Sequence, residues 1–344
     1  MVATPAGRSV ADRATQAIDH LARATRAVRS GSPRGFTRPE HLLTATQLRA
    51  FLAFADAGSF AGAAAVTGLS SPTLHRAVRD LERLCLARLV ETRGRGVVLT
   101  DDGRRIARGV RLAAAELAAA IAETRHDAGA GASARLTIGA MPLCRAVLLP
   151  AALARLVGTA PRVSVTIVEG SWRELVEPLR DGGIDMMIGA LRSEAPADLV
   201  QQPVFEDQLI VVGRAGHPLA GLSTVTASDL ARFPWITGVA GTPLHVRWTA
   251  LFDGHPLPPA PIACGSIMVA RGVLGDSDVL ALASPDQVAL EVRSGVLAQI
   301  GTPLADTTRT IGVTTRHGWR PSAIQARFTT LIEEIAAAGS VRIS

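Results

Sequence analysis

Lysine and tyrosine are missing from this chain of 344 residues, and aromatic residues make up only 3% of it. All 36 basic side chains are therefore arginine, so a phosphate loop closed by lysine cannot be built. Three cysteines without close spacing leave neither a disulfide framework nor a zinc site to expect. No run of about 18 apolar residues exists, and no charged start followed by an apolar core marks a secretion signal. A soluble, cytoplasmic protein without a membrane partner is the expectation. The spacings HExxH, CxxC and GxSxG are absent as well, and the 8 histidines are scattered. No catalytic set, metal or cofactor is expected. His217, in GHPL, reads as a loop residue satisfying backbone groups, and Asp181 with Asp185 as a solvated pair beside a turn.

What the chain has is apolar material and unevenly placed charge. A hydrophobic content of 48% suffices for real cores, and the length suits two or three domains. Residues 1–100 carry 14 arginines against 7 acids, while the rest carry 22 against 23. A net +7 thus lies at the N-terminal end, as phosphate neutralisation requires.

Residues 46–100 hold three short helical patterns. Leu48, Phe51, Leu52, Phe54 and Ala55 recur at helical spacing until Gly58. Ser59 can cap an alanine-rich helix closed by Gly68. Ser70 or Ser71 can cap a third, with Pro72 at its first position. That helix turns Leu74, Ala77, Val78, Leu81, Leu84 and Cys85 inward and leaves His75, Arg76, Arg79 and Arg83 outward. Two helices joined by a short turn, the second opening on small hydroxyls and carrying arginines, define helix-turn-helix geometry. Ser71 and Thr73 are short enough to let the helix start enter a major groove, where Arg76 can reach a guanine edge or a phosphate. RGRGVVLT then reads as a wing, with Arg93 and Arg95 placed to touch DNA backbone or minor groove. The candidate DNA-binding set is Ser59, Ser70, Ser71, Pro72, Thr73, His75, Arg76, Arg79, Arg93 and Arg95.

QLRAFLAFADAGSFAGAAAVTGLSSPTLHRAVRDLE followed by LARLVETRGRGVVLTDDG resembles the N-terminal domain of LysR-type transcriptional regulators. Ser71 and His75 depart from the Gln and Ser common in that family, which implies a different base preference with the same binding mode.

Residues 1–45 are expected to form an extension with a helix over about 11–29, loosely packed. Residues 101–127 read as one helix, with Ile106, Val110, Ala113, Ala114, Leu117 and Ile121 on one face, and such a stripe needs a cover. The resemblance implies that this linker helix pairs with its twin, giving Ile106, Val110, Ala114, Leu117 and Ile121 as dimerisation residues. It also implies a homodimer, a homotetramer made from dimers, and RNA polymerase as a further partner. DAGAGAS, from Asp127 to Ser133, has hinge composition.

From 134 to 344, short apolar runs alternate with amphipathic helices, which implies parallel sheets covered on both faces. The expected fold class is α/β with an all-α N-terminal part. It comprises a winged helix-turn-helix, a linker helix and a two-lobed sensor of type 2 periplasmic-binding-protein kind. Lobe I is expected at about 134–210 and 302–344, and lobe II at about 211–301. Ligands of such sheets bind beyond the carboxyl ends of the strands, in the crevice between lobes. The candidate effector-binding residues are Met141, Pro142, Leu143, Ala190, Leu191, Arg192, Thr242, Pro243, Gly265 and Ser266. Met141 could line the cleft or simply pack, and Arg192 could grip a carboxylate or serve as a surface ion-pair partner.

GAMPLCRAVLLPAALARL, VSVTIVEGSWRELVEPLRDGGIDMMIGALR and IGVTTRHGWRPSA look like the LysR branch named for the galactose-binding protein regulator. That resemblance implies a small polar effector, a sugar or a small aromatic or organic acid. The expected function is an effector-responsive regulator that binds double-stranded DNA. The alternative is a solute-binding or carrier protein with a vestigial helical head.

Overall fold

The computed structural model describes residues 4–28, 37–94, 96–127, 134–222 and 224–338. Its head is built from α2 (Ala45–Ala57), α3 (Phe60–Thr67) and α4 (Ser71–Cys85), followed by the hairpin of β1 (Val90–Arg93) and β2 (Gly96–Leu99). Thr44 and Gln47 close a reciprocal capping box at the start of α2. Gly58 and Gly68, at φ +65° and +70°, end α2 and α3 in the left-handed conformation that glycine adopts without strain. Phe51, Phe54, Leu74, Val78, Leu81 and Leu89 are completely or almost completely buried between these elements.

The N-terminal region differs from expectation. Helix α1 (Pro5–Val28) begins earlier than the stripe implied and packs along α5 (Asp101–Asp127) over much of its length. Loose packing is overturned, because small residues let the two helices approach closely. A side chain at Gly109 would collide with the Ala24 methyl. Arg13 and Thr25 are buried at this seam.

The rest forms two lobes. Lobe I contains β3 (Arg135–Ala140), α6 (Leu148–Thr159), β4 (Ser164–Glu169), α7 (Trp172–Arg180), β5 (Met186–Ala190) and β6 (Leu199–Asp207). Lobe II contains β7 (Ile210–Arg214), α8 (Ala227–Leu230), β8 (Trp235–Thr237), α9 (Pro243–Leu251), β9 (Ile262–Ala263), α10 (Ile267–Gly275), β10 (Leu280–Ala283), α11 (Pro285–Arg293) and β11 (Leu297–Ile300). The chain returns to lobe I as β12 (Arg309–Arg316) and α12 (Ala323–Ala337).

The sheets run β4-β3-β5-β12-β6 and β11-β7-β10-β8-β9. They are mixed rather than parallel throughout. β3 pairs in parallel with β4 and β5, but β12 runs antiparallel to β5 and β6, and β7 antiparallel to β10 and β11. The antiparallel strands flank the two crossings between lobes. At the first crossing β6 ends at Asp207 and β7 starts at Ile210.

Lobe I buries Leu136, Ile138, Met186 and Ile188 against α6 and α12. Its other face holds Leu175 and Leu179 of α7. In lobe II, Trp235, Trp248 and Phe252 fill one side of the sheet.

Candidate nucleic-acid interface and ligand cleft

Ser70, rather than Ser71, caps α4: its hydroxyl accepts from the Thr73 N–H at 3.3 Å. Ser71 and Pro72 thereby become the first two helical residues. Pro72, Thr73, His75, Arg76 and Arg79 are all exposed and Ser71 is half-buried, so the outward face of α4 is open. Leu74, Ala77, Val78 and Leu81 anchor the opposite face in the core. Ser59 caps α3 and is thereby engaged with the Gly62 N–H at 3.1 Å.

A groove of about 800 Å³ follows α4, lined by His75, Arg76, Arg79, Arg83 and Arg88 among others. Arg83 is paired with Asp80, but among the described residues no acid pairs with Arg76, Arg79 or Arg93. Unneutralised guanidinium groups on a rigid helix suit phosphate oxygens and guanine edges. The His75 ring stacks on Phe60 at 3.6 Å between centroids, and Phe60 stacks on Phe54 at 4.4 Å. This column fixes His75 beside Arg76. Arg93 stands exposed at the end of β1. Arg95 lies outside the described residues.

The dimerisation candidates do not form one surface. Ile106 and Val110 are 2% and 3% exposed and pack into the head of their own chain, so they cannot meet a second copy. Ala114, Leu117 and Ile121 remain exposed on α5. The helical stripe winds past the head before it reaches open surface, which periodicity alone does not reveal.

Asp181 and Asp185 are not a solvated pair. Asp181 accepts from Arg108 Nε at 2.6 Å, and Arg111 bridges Asp181 at 3.5 Å and Asp56 at 2.5 Å. The linker helix is thus tied to both sensor and head. Asp185 accepts from the Thr137 N–H at 2.7 Å, and burial pushes its carboxyl above the ordinary range. His217 is buried between the Leu219 N–H and the Asp278 carbonyl, as expected for a loop residue satisfying backbone, and its burial lowers its pKa.

In the cleft, strand ends of lobe I bring together the turn after β3, the start of α7 and the residues after β5. Met141 is only 6% exposed and packs with Leu175 and Met187. It belongs to the core. Pro142 is half-buried; the side chain of Leu143 lies outside the described parts. Ala190 ends β5, Leu191 and Arg192 follow it, and all three are half-buried. Gln201 holds the Arg192 backbone at both N–H and C=O, at 2.8 and 2.7 Å. The guanidinium lies 5.6 Å over the Trp172 ring, and its Nε is buried without a hydrogen bond. No ion pair engages it among the described residues.

On lobe II, Thr242 caps α9 and Ser266 caps α10, each accepting from the N–H three residues on. Pro243, Gly265 and Ser266 are exposed. Between the lobes, Asp207 accepts from Arg309 Nε and from the Ser284 hydroxyl, both at 2.7 Å. Burial and the Asp207 charge push the nearby Asp286 carboxyl up to about 7. These four residues escaped sequence inspection because about 80–100 positions separate the interacting groups, and no local spacing records such contacts. Among the described residues no group of three metal-ligating side chains occurs, and no helix is long and apolar enough to cross a membrane.

An arginine-faced winged helix-turn-helix joined by a long helix to a two-lobed domain with an interlobe cleft defines a ligand-responsive transcription regulator. Residues 45–104 match the bacterial regulatory helix-turn-helix protein, lysR family, and residues 129–336 match the LysR substrate binding domain. The chain belongs to the LysR family of transcriptional regulators. It is 30% identical over 301 residues to the HTH-type transcriptional regulator GalR of Pseudomonas putida, covering 86% of this chain and 75% of that one. It is 33% identical over 262 residues to the SDS degradation transcriptional activation protein of a Pseudomonas species, covering 73% and 82%. Among solved structures, full-length LysG of Corynebacterium glutamicum with bound effector Arg superposes with a TM-score of 0.63 at 19% identity, covering 85% and 97%, which shows the shared fold. LysR-type regulators bind DNA and small-molecule effectors and form oligomers. A carrier with a vestigial head is thereby set aside.

Proposed function

We propose that α4 enters the major groove with Ser71, Thr73, His75, Arg76 and Arg79 toward the bases, while Arg93 and the wing grip backbone. The exposed Ala114, Leu117 and Ile121 face a second copy through α5. The effector, bound in the interlobe cleft, is a small polar organic molecule carrying a carboxylate, and Arg192 receives it. One observation carries this choice within the sugar or organic-acid class: a guanidinium beyond a strand end, with a buried Nε and no acid to pair with. A buried donor of this kind is costly to leave unmet, and a carboxylate satisfies it bidentately. Trp172 beneath it offers a flat apolar wall.

An effector that binds closed lobes better than open ones shifts their equilibrium. Because Arg108 and Arg111 tie α5 to lobe I and to the head, closure changes how two reading heads are presented to DNA. The test is a thermal-shift screen of neutral sugars and small carboxylates on the full-length protein and on Arg192→Gln. Stabilisation by carboxylates that the variant loses supports the assignment; stabilisation by neutral sugars alone, equal in both proteins, refutes it.

A further inference from the structure

Asp286 is the polar side chain around the hinge that lacks a partner. The residue is only 7% exposed, and no hydrogen bond or ion pair reaches its carboxyl among the described residues. Its neighbours are satisfied. Asp207 is held by Arg309 and by the Ser284 hydroxyl. The Ser284 N–H donates to Gln287 Oε1 at 3.1 Å, and the Thr307 hydroxyl donates to the Leu304 carbonyl at 2.7 Å. An acid in the first turn of a helix ordinarily lies in solvent or draws on the free N–H groups there. Asp286 draws on none of them, and its carboxyl keeps only a narrow contact with solvent. An enclosed acceptor without a protein partner is placed to take a donor from a ligand.

Its place in the fold indicates which ligand. Asp286 follows the carboxyl end of β10 directly, in the first turn of α11, and α11 packs against the short helix Pro142–Arg145 of the other lobe. Asp286 thus sits beside the Asp207–Arg309 pair at the crossing between lobes, at the strand-end side of lobe II. The anionic charge nearby is Asp207, and the Arg309 charge is already spent on Asp207. An anion is repelled from this spot. A group that brings a hydrogen to donate is accommodated.

We propose that the Asp286 carboxyl, at the floor of the interlobe cleft, accepts a hydrogen bond from a hydroxyl or ammonium of the effector and so restricts the ligand to hydroxylated or aminated organic acids. This rests on the assignment of the cleft as the effector site and of Arg192 as its carboxylate receptor.

Three acids of matched chain length serve as probes: gluconate with hydroxyls, 6-aminohexanoate with a distal ammonium, and hexanoate with neither. Their dissociation constants are measured by calorimetry on the full-length protein and on Asp286→Asn, whose fold is checked by its melting transition. Asp286→Ser serves should the amide disturb the fold. Gluconate or 6-aminohexanoate is expected to bind the parent about ten- to a hundredfold more tightly than hexanoate, and the Asn variant to lose that preference. Whichever of the two acids wins assigns the hydroxyl or the ammonium. Equal affinity of parent and variant, equal or tighter binding of hexanoate, or no binding of either donor-bearing acid overturns the proposal. Arg192→Gln separates the two assignments, because unchanged affinity for all three acids in that variant means that the carboxylate assignment has failed rather than that of Asp286.

Discussion

Arg13 of α1 donates to the Glu116 carboxylate of α5 at 2.8 Å, with the two residues only 5% and 8% exposed. The same guanidinium reaches Glu123 and, at 3.1 Å, the carbonyl of Arg320 in lobe I. At Glu123, burial alone would raise the pKa, but hydrogen bonds from Arg13 and Ser9 prevail and lower it. One side chain thereby straps the first helix, the linker helix and the sensor together. Arg13→Ala strands a buried carboxylate, so chemical denaturation should report a loss of about 3–5 kcal/mol. Arg13→Met with Glu116→Leu, which removes both charges and keeps volume, should recover most of it. A loss below about 1 kcal/mol in the single variant would mean that the bridge is solvated.

Gly109 sits at a close approach of the same two helices. A valine there collides with the Ala24 methyl and, at 3.1 Å, with the His20 carbonyl. Gly109→Val should separate the helices and cost about 1–3 kcal/mol as overpacking. Hydrogen exchange should rise through residues 5–28 while the lobes keep their protection.

Asp286 gives the protein a pH signature. Its folded pKa, about 7, lies above the ordinary value of 3.8, so folding favours the protonated carboxyl. The contribution is complete below the unfolded pKa and is lost as pH rises through the folded one. Between about pH 4 and 7, stability should therefore fall by up to about 1.4 kcal/mol per pH unit from this group. Asp286→Asn should remove that slope; parallel melting-temperature profiles from pH 4 to 8 in parent and variant would contradict it.

The head was legible in the sequence because its signals are local. Capping serines, closing glycines and the inward stripe from Leu74 to Leu81 all lie within one helix or turn of each other. Pro72 was displaced by one position only because two serines compete for the cap. Contacts across long separations were not legible. The stripe containing Ile106 and Leu117 looks continuous, yet the first is covered by Phe51 and Val78 and the second is open. Nothing near Asp12–Arg13 announces Glu116 or Arg320. In the cleft, Arg192 was singled out from its strand end, whereas Trp172 and Gln201, which orient it, carry no motif. β6 carries neither a continuous apolar run nor strict alternation, because the pairs QQ and ED interrupt LVQQPVFED.

Exposed arginines of the head should separate into two kinds by salt. With Arg93 proposed as a phosphate contact, Arg93→Ala should lower the slope of log affinity against log salt by about one, weakening all duplexes alike. Arg76→Ala should cost about 1–3 kcal/mol on the preferred duplex and less on others. Identical losses on every duplex for both variants would assign Arg76 to phosphate alone.

Selection of bound duplexes from a randomised pool by the full-length protein, sequenced beside the same selection with Arg76→Ala, tests the central claim most directly. The α4 face predicts that the parent enriches paired half-sites and that the variant loses preference at one base position in each. A parent that enriches no sequence and binds no duplex at low salt would contradict it.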